Sequence, residues 1–107
     1  MPLKMVSDHV LYLRNPGPRP AYYFLAEHLW GVGCNIDSDG NSDTPEDNGW
    51  TELSLFLRGA PSLEQVDIDP ISESPLVLKI QSPSQVLCER VAQYLANTAG
   101  GTIESAA

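Results

Sequence analysis

Carboxylates are the side chains of this sequence that could do chemistry, and most of them lie in one stretch. Ten of the fourteen Asp and Glu residues lie between Asn35 and Ser74, where Arg58 is the only basic residue. The rest of the chain is close to neutral, so this stretch accounts for the net charge of −8. A concentrated negative field attracts a positively charged partner and repels anions. The charge therefore excludes nucleic acid as the expected partner, because its phosphates require Lys and Arg. Acidic loops also keep small proteins soluble, and this second interpretation stays open at this point.

A metal site is the first chemistry that such a stretch suggests. Four oxygen-bearing side chains follow the spacing of the first ligand positions in a calcium loop: Asp37, Asp39, Asn41 and Asp43. The match then fails, because Ser42 occupies the position of the required glycine and Asn48 that of the bidentate glutamate. The His and Cys residues lack the paired short spacings of a zinc site. We therefore predict neither a metal nor a cofactor.

Two further arrangements could support catalysis. His28 could activate the thiol of Cys34 with Asp37 as its orienting group, but no local signature supports this trio. Asp67 and Asp69 alternate in a strand pattern, which places both on one face about 7 Å apart, a spacing usable by a general acid and base. The sequence contains no phosphate-binding loop, nucleophile elbow or metalloprotease helix. We therefore expect a binding protein rather than an enzyme.

The N-terminal part that must support this stretch has the pattern of a strand followed by a helix. The apolar run Val10–Leu13 predicts a strand, which ends at a loop with three prolines and a glycine. Helix one is predicted over residues 20–30, with Pro20 at its first position and Tyr22, Leu25, Ala26 and Leu29 on its buried face. A short strand is expected at 32–36. Residues 37–49 are predicted to form an exposed acidic loop.

Three strands are predicted between Trp50 and Gln81, where apolar side chains recur every second residue. The first contains Leu53, Leu55 and Leu57 on its inner face. A turn over residues 59–62 leads to the second strand, which Pro70 is expected to end. The third covers residues 76–81. The connections are too short to cross over the sheet, so the three strands should form an antiparallel meander.

The C-terminal part has the pattern of a second helix. The segment Ser82-Pro83-Ser84-Gln85 predicts its start with Ser82 as the cap, and Gly100-Gly101 predicts its end. Its predicted buried stripe is Leu87, Cys88, Val91, Ala92 and Leu95. Thr102 and Ile103 could add a last strand. The expected fold is one α+β domain over residues 1–107, a two-layer sandwich in which two helices cover one face of an antiparallel sheet of four to six strands. The other face, or one edge, should be available to a partner.

The sequence also indicates a compartment. No apolar stretch has the length needed to cross a bilayer, and the first residues lack the apolar block of a secretion signal. We therefore expect a cytoplasmic protein without membrane contacts. In a reducing compartment Cys34 and Cys88 are expected to remain thiols with structural roles.

Four segments of the C-terminal half carry a resemblance to a known group: Gly49–Arg58, Val66–Pro70, Pro75–Ile80 and Arg90–Gly101. In style of sequence they resemble small bacterial immunity proteins, which accompany polymorphic toxins of the Rhs type or of contact-dependent systems. The resemblance implies a protein that binds its cognate toxin domain in the cytosol and blocks its active site or a functional surface. Immunity families share no single fold, so the predicted architecture depends on the periodicity alone.

This hypothesis assigns a role to the acidic stretch, because carboxylates can replace substrate phosphates in a basic toxin cleft. The expected partner-binding carboxylates are Asp37, Asp39, Asp43, Glu46, Asp47, Asp67 and Asp69. Trp50 or Tyr23 is expected to supply an apolar anchor. One alternative is a regulatory or adaptor domain that binds another protein. The other is a small enzyme or metabolite-binding protein that uses Asp67, Asp69 and Glu52.

Overall fold

The described residues, 9–59 and 64–105 of a computed structural model, form a six-stranded antiparallel sheet and two helices. The elements in chain order are β1 (His9–Arg14), α1 (Tyr22–Trp30), β2 (Ile36–Gly40), β3 (Leu53–Leu57), β4 (Gln65–Glu73), β5 (Leu76–Ser82), α2 (Gln85–Ala99) and β6 (Thr102–Ser105). The predicted α+β two-layer sandwich is confirmed, with both helices packed on one face of the sheet.

The sheet has the strand order β2-β3-β4-β5-β1-β6, and every neighbouring pair is antiparallel. The meander predicted between residues 50 and 81 is therefore confirmed as β3-β4-β5. Strand β1 lies between β5 and β6, so that β2 and β6 form the two edges of the sheet within the described residues.

The two faces of the sheet differ because side chains alternate along each strand. On the helix side, Leu53 lies opposite Ile68 and Leu55 opposite Val66, and all four are buried. Leu13 and Leu78 continue this surface across β1 and β5. The same core contains Leu25, Ala26 and Leu29 of α1 and the buried stripe of α2.

Helix α1 begins at Tyr22, two residues after the predicted start. Ala21 is its cap residue and keeps an extended backbone, with ψ of 143°. Pro20 therefore lies before the helix, and the prediction that it occupies the first helical position is wrong. The reason is tertiary: the carbonyl oxygen of Pro20 accepts a hydrogen bond from Trp50 Nε1 at 2.8 Å, which holds this residue in the preceding loop.

Strand β2 corrects two predictions about the acidic stretch. The strand expected at 32–36 begins only at Ile36, and Val32 is 90% exposed in a loop. The loop expected over 37–49 is shorter, because residues 37–40 belong to β2 and pair with β3. Their polar side chains do not oppose strand formation, since an edge strand can point them to solvent. A Cβ at Gly40 would lie 2.1 Å from the carbonyl oxygen of Glu52, so this backbone approach requires glycine.

Strand β4 is longer than predicted. Pro70 does not end it, because the pairing with β5 continues to Glu73 after a register shift between Pro70 and Ser72. A bulge accommodates proline in a strand since it already interrupts the ladder of hydrogen bonds. Gly59, the first residue of the predicted turn at 59–62, has a positive φ, whereas the rest of that turn lies outside the described residues.

Helix α2 confirms the predicted stripe, since Leu87, Cys88, Val91, Ala92 and Leu95 are its buried residues. The glycines after it both have positive φ, as a helix stop requires, and β6 follows at Thr102.

The predicted cap of α2 is wrong. Ser84, not Ser82, is the cap residue, and its Oγ accepts from the amide of Leu87 at 3.3 Å. Ser82 ends β5 and is fully buried. Its Oγ donates to the carbonyl oxygen of Gln65 at 2.7 Å and accepts from the amide of Ser84 at 3.0 Å. Ser82 therefore connects the end of the sheet to the cap and does not itself cap the helix.

Two aspartate substitutions test this assignment. Ser84→Asp should keep the free energy of unfolding within about 0.5 kcal/mol of the original value, because aspartate is a good helix cap. Ser82→Asp should lower it by about 3 kcal/mol or more, because an unpaired carboxylate would be buried. Urea unfolding of both variants measures these free energies. A larger loss of stability for Ser84→Asp than for Ser82→Asp would show that Ser82 is the cap.

Candidate partner-binding face

The sheet surface opposite the helices, which we call the open face, displays the acidic side chains of β2 and β4. Strand register places Asp39 beside Ser54, Ser54 beside Asp67 and Asp67 beside Gln81, so these side chains form a row across four strands. The buried leucines of β3 point to the helices, so the residues of this row must point away from them. No helix of the described residues covers this face.

Asp67 and Asp69 lie on the open face together, as their two-residue spacing predicts. The carboxylate of Asp67 is half-buried and accepts a hydrogen bond from Ser54 Oγ at 2.6 Å, which fixes its orientation. Asp69 is exposed and lies across from Lys79 on β5. Asp67 is thus an ordered carboxylate, and both Asp67 and Asp69 can accept hydrogen bonds from a partner's Lys or Arg.

Ion pairs on the open face involve the edge strands. Asp37 of β2 pairs with Arg58, and Glu104 of β6 pairs with Arg14 at 2.8 Å. The hydrogen bond from Arg14 lowers the pKa of Glu104, and the one to Asp37 raises the pKa of Arg58. Among the described residues no basic side chain forms an ion pair with the other three aspartates of this face: Asp39, Asp67 and Asp69. These three carboxylates of the open face are therefore outside ion pairs, and Lys79 supplies a positive charge across from Asp69.

The predicted anchor Trp50 is a core residue. Its side chain has no exposed surface, and its indole N–H donates to the carbonyl oxygen of Pro20. The prediction that Trp50 contacts a partner is therefore wrong, because a fully buried side chain presents no surface to a partner. The other predicted anchor, Tyr23, lies half-buried on α1 among its aromatic neighbours, on the helix side of the sheet.

Phe56 is an exposed aromatic residue of the open face, to which the register also assigns the half-buried Tyr12. Phe56 is 39% exposed and lies beside Asp37 on one neighbouring strand and Gln65 on the other. The sequence contained a signal for it, since Phe56 occupies a solvent-facing position in the alternation of Leu53, Leu55 and Leu57. An aromatic residue at such a position is a candidate contact for a partner.

The other three predicted partner-binding carboxylates, Asp43, Glu46 and Asp47, lie in the loop over residues 41–49. Asp47 organises this loop, because its carboxylate accepts hydrogen bonds from the amides of Asp43 at 3.0 Å and Gly49 at 2.7 Å. These two bonds lower the pKa of Asp47, with a small contribution from Arg19. Its carboxylate is thus engaged within the protein, whereas Asp43 and Glu46 are exposed. Of the predicted loop contacts, the structure leaves these last two most available to a partner.

The calcium-like spacing has a structural explanation. Asn41 Oδ1 accepts from the amides of Thr51 at 2.9 Å and Glu52 at 3.0 Å, which ties the loop to the start of β3. Asp37 pairs with Arg58, and Asp39 accepts from the amide of Gly40. Within residues 9–59 and 64–105 no group of three or more His, Cys, Asp or Glu side chains is placed to hold a metal ion.

The trio considered for nucleophilic catalysis does not form. His28 stacks on Tyr94 of α2, with ring centroids 4.4 Å apart. Cys34 Sγ donates to the carbonyl oxygen of Ala26 at 3.7 Å, and the carboxylate of Asp37 is bound to Arg58. Each member therefore has a different partner. Cys34 and Cys88 are both thiols and are not joined in a disulfide.

Comparison of the chain with known protein families, curated proteins and solved structures finds no match. Among the described helices none has the length and apolar character needed to span a membrane. Function is therefore inferred from the geometry and charge of the open face.

The role of Asp47 can be tested by pH. A carboxylate whose folded pKa is lowered stabilises the protein above its ordinary pKa of about 4, and this stabilisation is lost as the pH falls through the folded pKa. Asp47→Asn should therefore unfold more easily at pH 7, and its difference from the original protein should shrink between about pH 4 and pH 2. Urea unfolding across this range measures the difference. Glu46→Gln, which removes the same charge at the adjacent exposed position, is the control, and equal pH profiles for the two variants would contradict the assignment.

Proposed function

We propose that this protein is an immunity protein, which binds a cognate bacterial toxin domain in the cytoplasm and neutralises it through the open face. One observation carries the proposal. The strand register brings Asp37, Asp39, Asp67 and Asp69 together on the open face, which no described helix covers and to which Phe56 adds an apolar contact. A basic cleft on the toxin is the complementary surface, and its occlusion would block access of an anionic substrate.

The sheet makes these carboxylates suitable for tight binding. Neighbouring strands are about 5 Å apart and alternate residues on one strand about 7 Å apart, so one Arg or Lys of a partner can reach two carboxylates. Side chains carried by a sheet, such as Asp67 bound to Ser54, are already ordered before binding. Less conformational entropy is then lost in the complex, which favours affinity.

Charge and apolar contact have different roles in this proposal. The negative field of the open face increases the rate of encounter with a basic toxin, which favours capture before damage occurs. Charged contacts alone contribute more to the selectivity of a complex than to its lifetime, so a buried aromatic contact is needed at the interface. Phe56 can supply it because its exposed ring lies beside the acidic row.

Affinity capture tests the proposal. The tagged protein is expressed in its native cells, and retained proteins are identified by mass spectrometry at low and high salt. We expect one large secreted protein whose C-terminal domain stops growth when expressed alone, with growth restored by co-expression of this chain. Capture of a protein that is harmless alone would favour the regulatory or adaptor alternative. Turnover of a small molecule that requires Asp67 and Asp69 would favour the enzyme alternative.

Charge removal on the open face should weaken this complex. The double variant Asp67→Asn/Asp69→Asn keeps the shape of both side chains, and its affinity for the captured toxin domain should fall about 10- to 100-fold at low salt. The matched control Glu27→Gln/Glu89→Gln removes two charges from the helix side and should change affinity less than about threefold. Titration calorimetry measures both, and equal losses would show that only the net charge acts.

The apolar contact has its own test. Phe56→Ala should reduce affinity about tenfold or more, as expected for a central aromatic contact. Phe24→Ala removes a similarly exposed ring from α1 on the helix side and should leave affinity within about twofold. Unchanged binding by Phe56→Ala, with the variant folded by circular dichroism, would exclude Phe56 from the interface.

A further inference from the structure

The outer edge of β2 carries no strand within the described residues. Three hydrogen bonds define the direction of its backbone groups. Arg58 N donates to Asn35 O at 2.9 Å and Asn41 N to Glu52 O at 3.1 Å, whereas Leu57 N donates away from β2, to Glu64 O at 3.1 Å. In an antiparallel pair these directions alternate every residue. The N–H and C=O groups of Ile36, Ser38 and Gly40 therefore point to the outer edge.

Within residues 9–59 and 64–105, most of these outward groups have no hydrogen-bond partner. The amide of Gly40 already donates to the carboxylate of Asp39 at 2.9 Å. The outward amides of Ile36 and Ser38 and the three outward carbonyl groups remain. An extended peptide binds such an edge through main-chain hydrogen bonds, and its alternate side chains then determine specificity.

The two sides of this edge present different surfaces to such a peptide. On one side Asp37 and Asp39 continue the open face. On the other side a groove of about 250 Å³ is lined by residues that include Tyr22, Ser38 and Leu53, and it also contains the carboxyl-bearing residues Asp39 and Asp43. The hydroxyl of Ser42 in this groove is buried and has no hydrogen-bond partner among the described residues. An added strand would therefore place every second side chain beside carboxylates and the others over a groove with an unsatisfied hydroxyl.

Charge determines which strand can bind. Antiparallel pairing of β2 with a second copy would bring Asp37 and Asp39 of both copies together on one face, and like charges opposite each other destabilise a sheet. Asp39, which forms no ion pair among the described residues, favours a strand that carries Lys or Arg, and Asp37 can accept a second cation beside the Arg58 that it already binds. The edge thus disfavours self-association and favours a basic partner.

We propose that a partner strand with Lys or Arg at alternate positions adds to the outer edge of β2 and extends the sheet. This inference rests on the proposed function, because it specifies how the basic partner engages the acidic surface. It places the basic side chains of that strand beside Asp37 and Asp39 and its intervening small polar side chains over the groove at Ser42.

The first test uses the unchanged protein and a synthetic peptide, acetyl-Lys-Thr-Lys-Thr-Lys-Thr-Lys-amide. Hydrogen exchange followed by NMR should show slower exchange at the amides of Ile36 and Ser38 when the peptide is present, because these donors become paired. A peptide in which glutamate replaces lysine should have no effect. Slower exchange only at amides of other strands, or no binding at millimolar peptide, would overturn the inference. Slower exchange at Ile36 and Ser38 when the protein concentration is raised without peptide would also overturn it, because the edge would then pair with a second copy.

The second test blocks the edge while leaving the neighbouring pair intact. Ser38→Pro removes an outward N–H, so the ladder between β2 and β3 loses no donor. Ser38→Ala is the control, since it keeps this N–H and also lacks the hydroxyl. Peptide affinity should fall about tenfold or more for the proline variant and less than about twofold for the alanine variant, with folding verified by thermal unfolding. Equal affinities of the two variants for the peptide would overturn the inference. If the proline variant does not fold, the hydrogen-exchange result of the first test decides.

The two proposals can fail separately. If Ser38→Pro still neutralises the captured toxin while Asp67→Asn/Asp69→Asn does not, the open face binds the toxin without strand addition and the inference alone is overturned. If the basic peptide protects Ile36 and Ser38 but no captured protein is toxic, the edge accepts basic strands and the immunity function is overturned.

Discussion

The two-residue alternation of the strands is the constraint on which the rest of this structure depends. Burial of Leu53, Leu55, Val66 and Ile68 against the helices fixes which face of β3 and β4 is inward. The intervening residues must then point the other way, so Asp67 lies on the open face. A shift of register by one residue would bury its carboxylate. The same packing that stabilises the core therefore determines where the negative charge lies.

A second set of contacts connects the acidic loop to this core. Arg19 is buried and its guanidinium donates to the carbonyl oxygens of Trp50 and Gly17 at 2.8 Å, while its backbone amide donates to Asn48 O at 2.9 Å. Trp50 in turn donates to Pro20 O. Burial lowers the pKa of Arg19, and its hydrogen bonds satisfy the charged group inside the protein. The proline-rich loop before α1 and the end of the acidic loop are thus held by the same residues.

Sequence patterns predict this fold where periodicity is strong, and they are wrong where tertiary contacts decide. The alternation of β3 and β5 and the apolar stripe of α2 specify those elements well. Residues 37–40 contain nothing to bury, so only pairing with β3 reveals that they form a strand. Ser82 and Ser84 are equally good caps by sequence, and the chain geometry at the end of β5 selects Ser84. For the candidate site, composition located the carboxylates, but the burial of Trp50 and the exposure of Phe56 depend on how the loop packs.

The distribution of ion pairs gives a final reason to regard the open face as a binding surface. Both pairs involve edge strands, through Asp37 on β2 and Glu104 on β6. Asp67, on the central strand β4, has a hydroxyl partner and no cation among the described residues. Charges at the centre of an interface become the most desolvated, and their interactions there are stronger than at the rim. A surface that only maintains solubility has no need for this arrangement. The proposed partner surface gains most from it, because Asp67 would not have to release an internal cation before it bound a Lys or Arg of a partner.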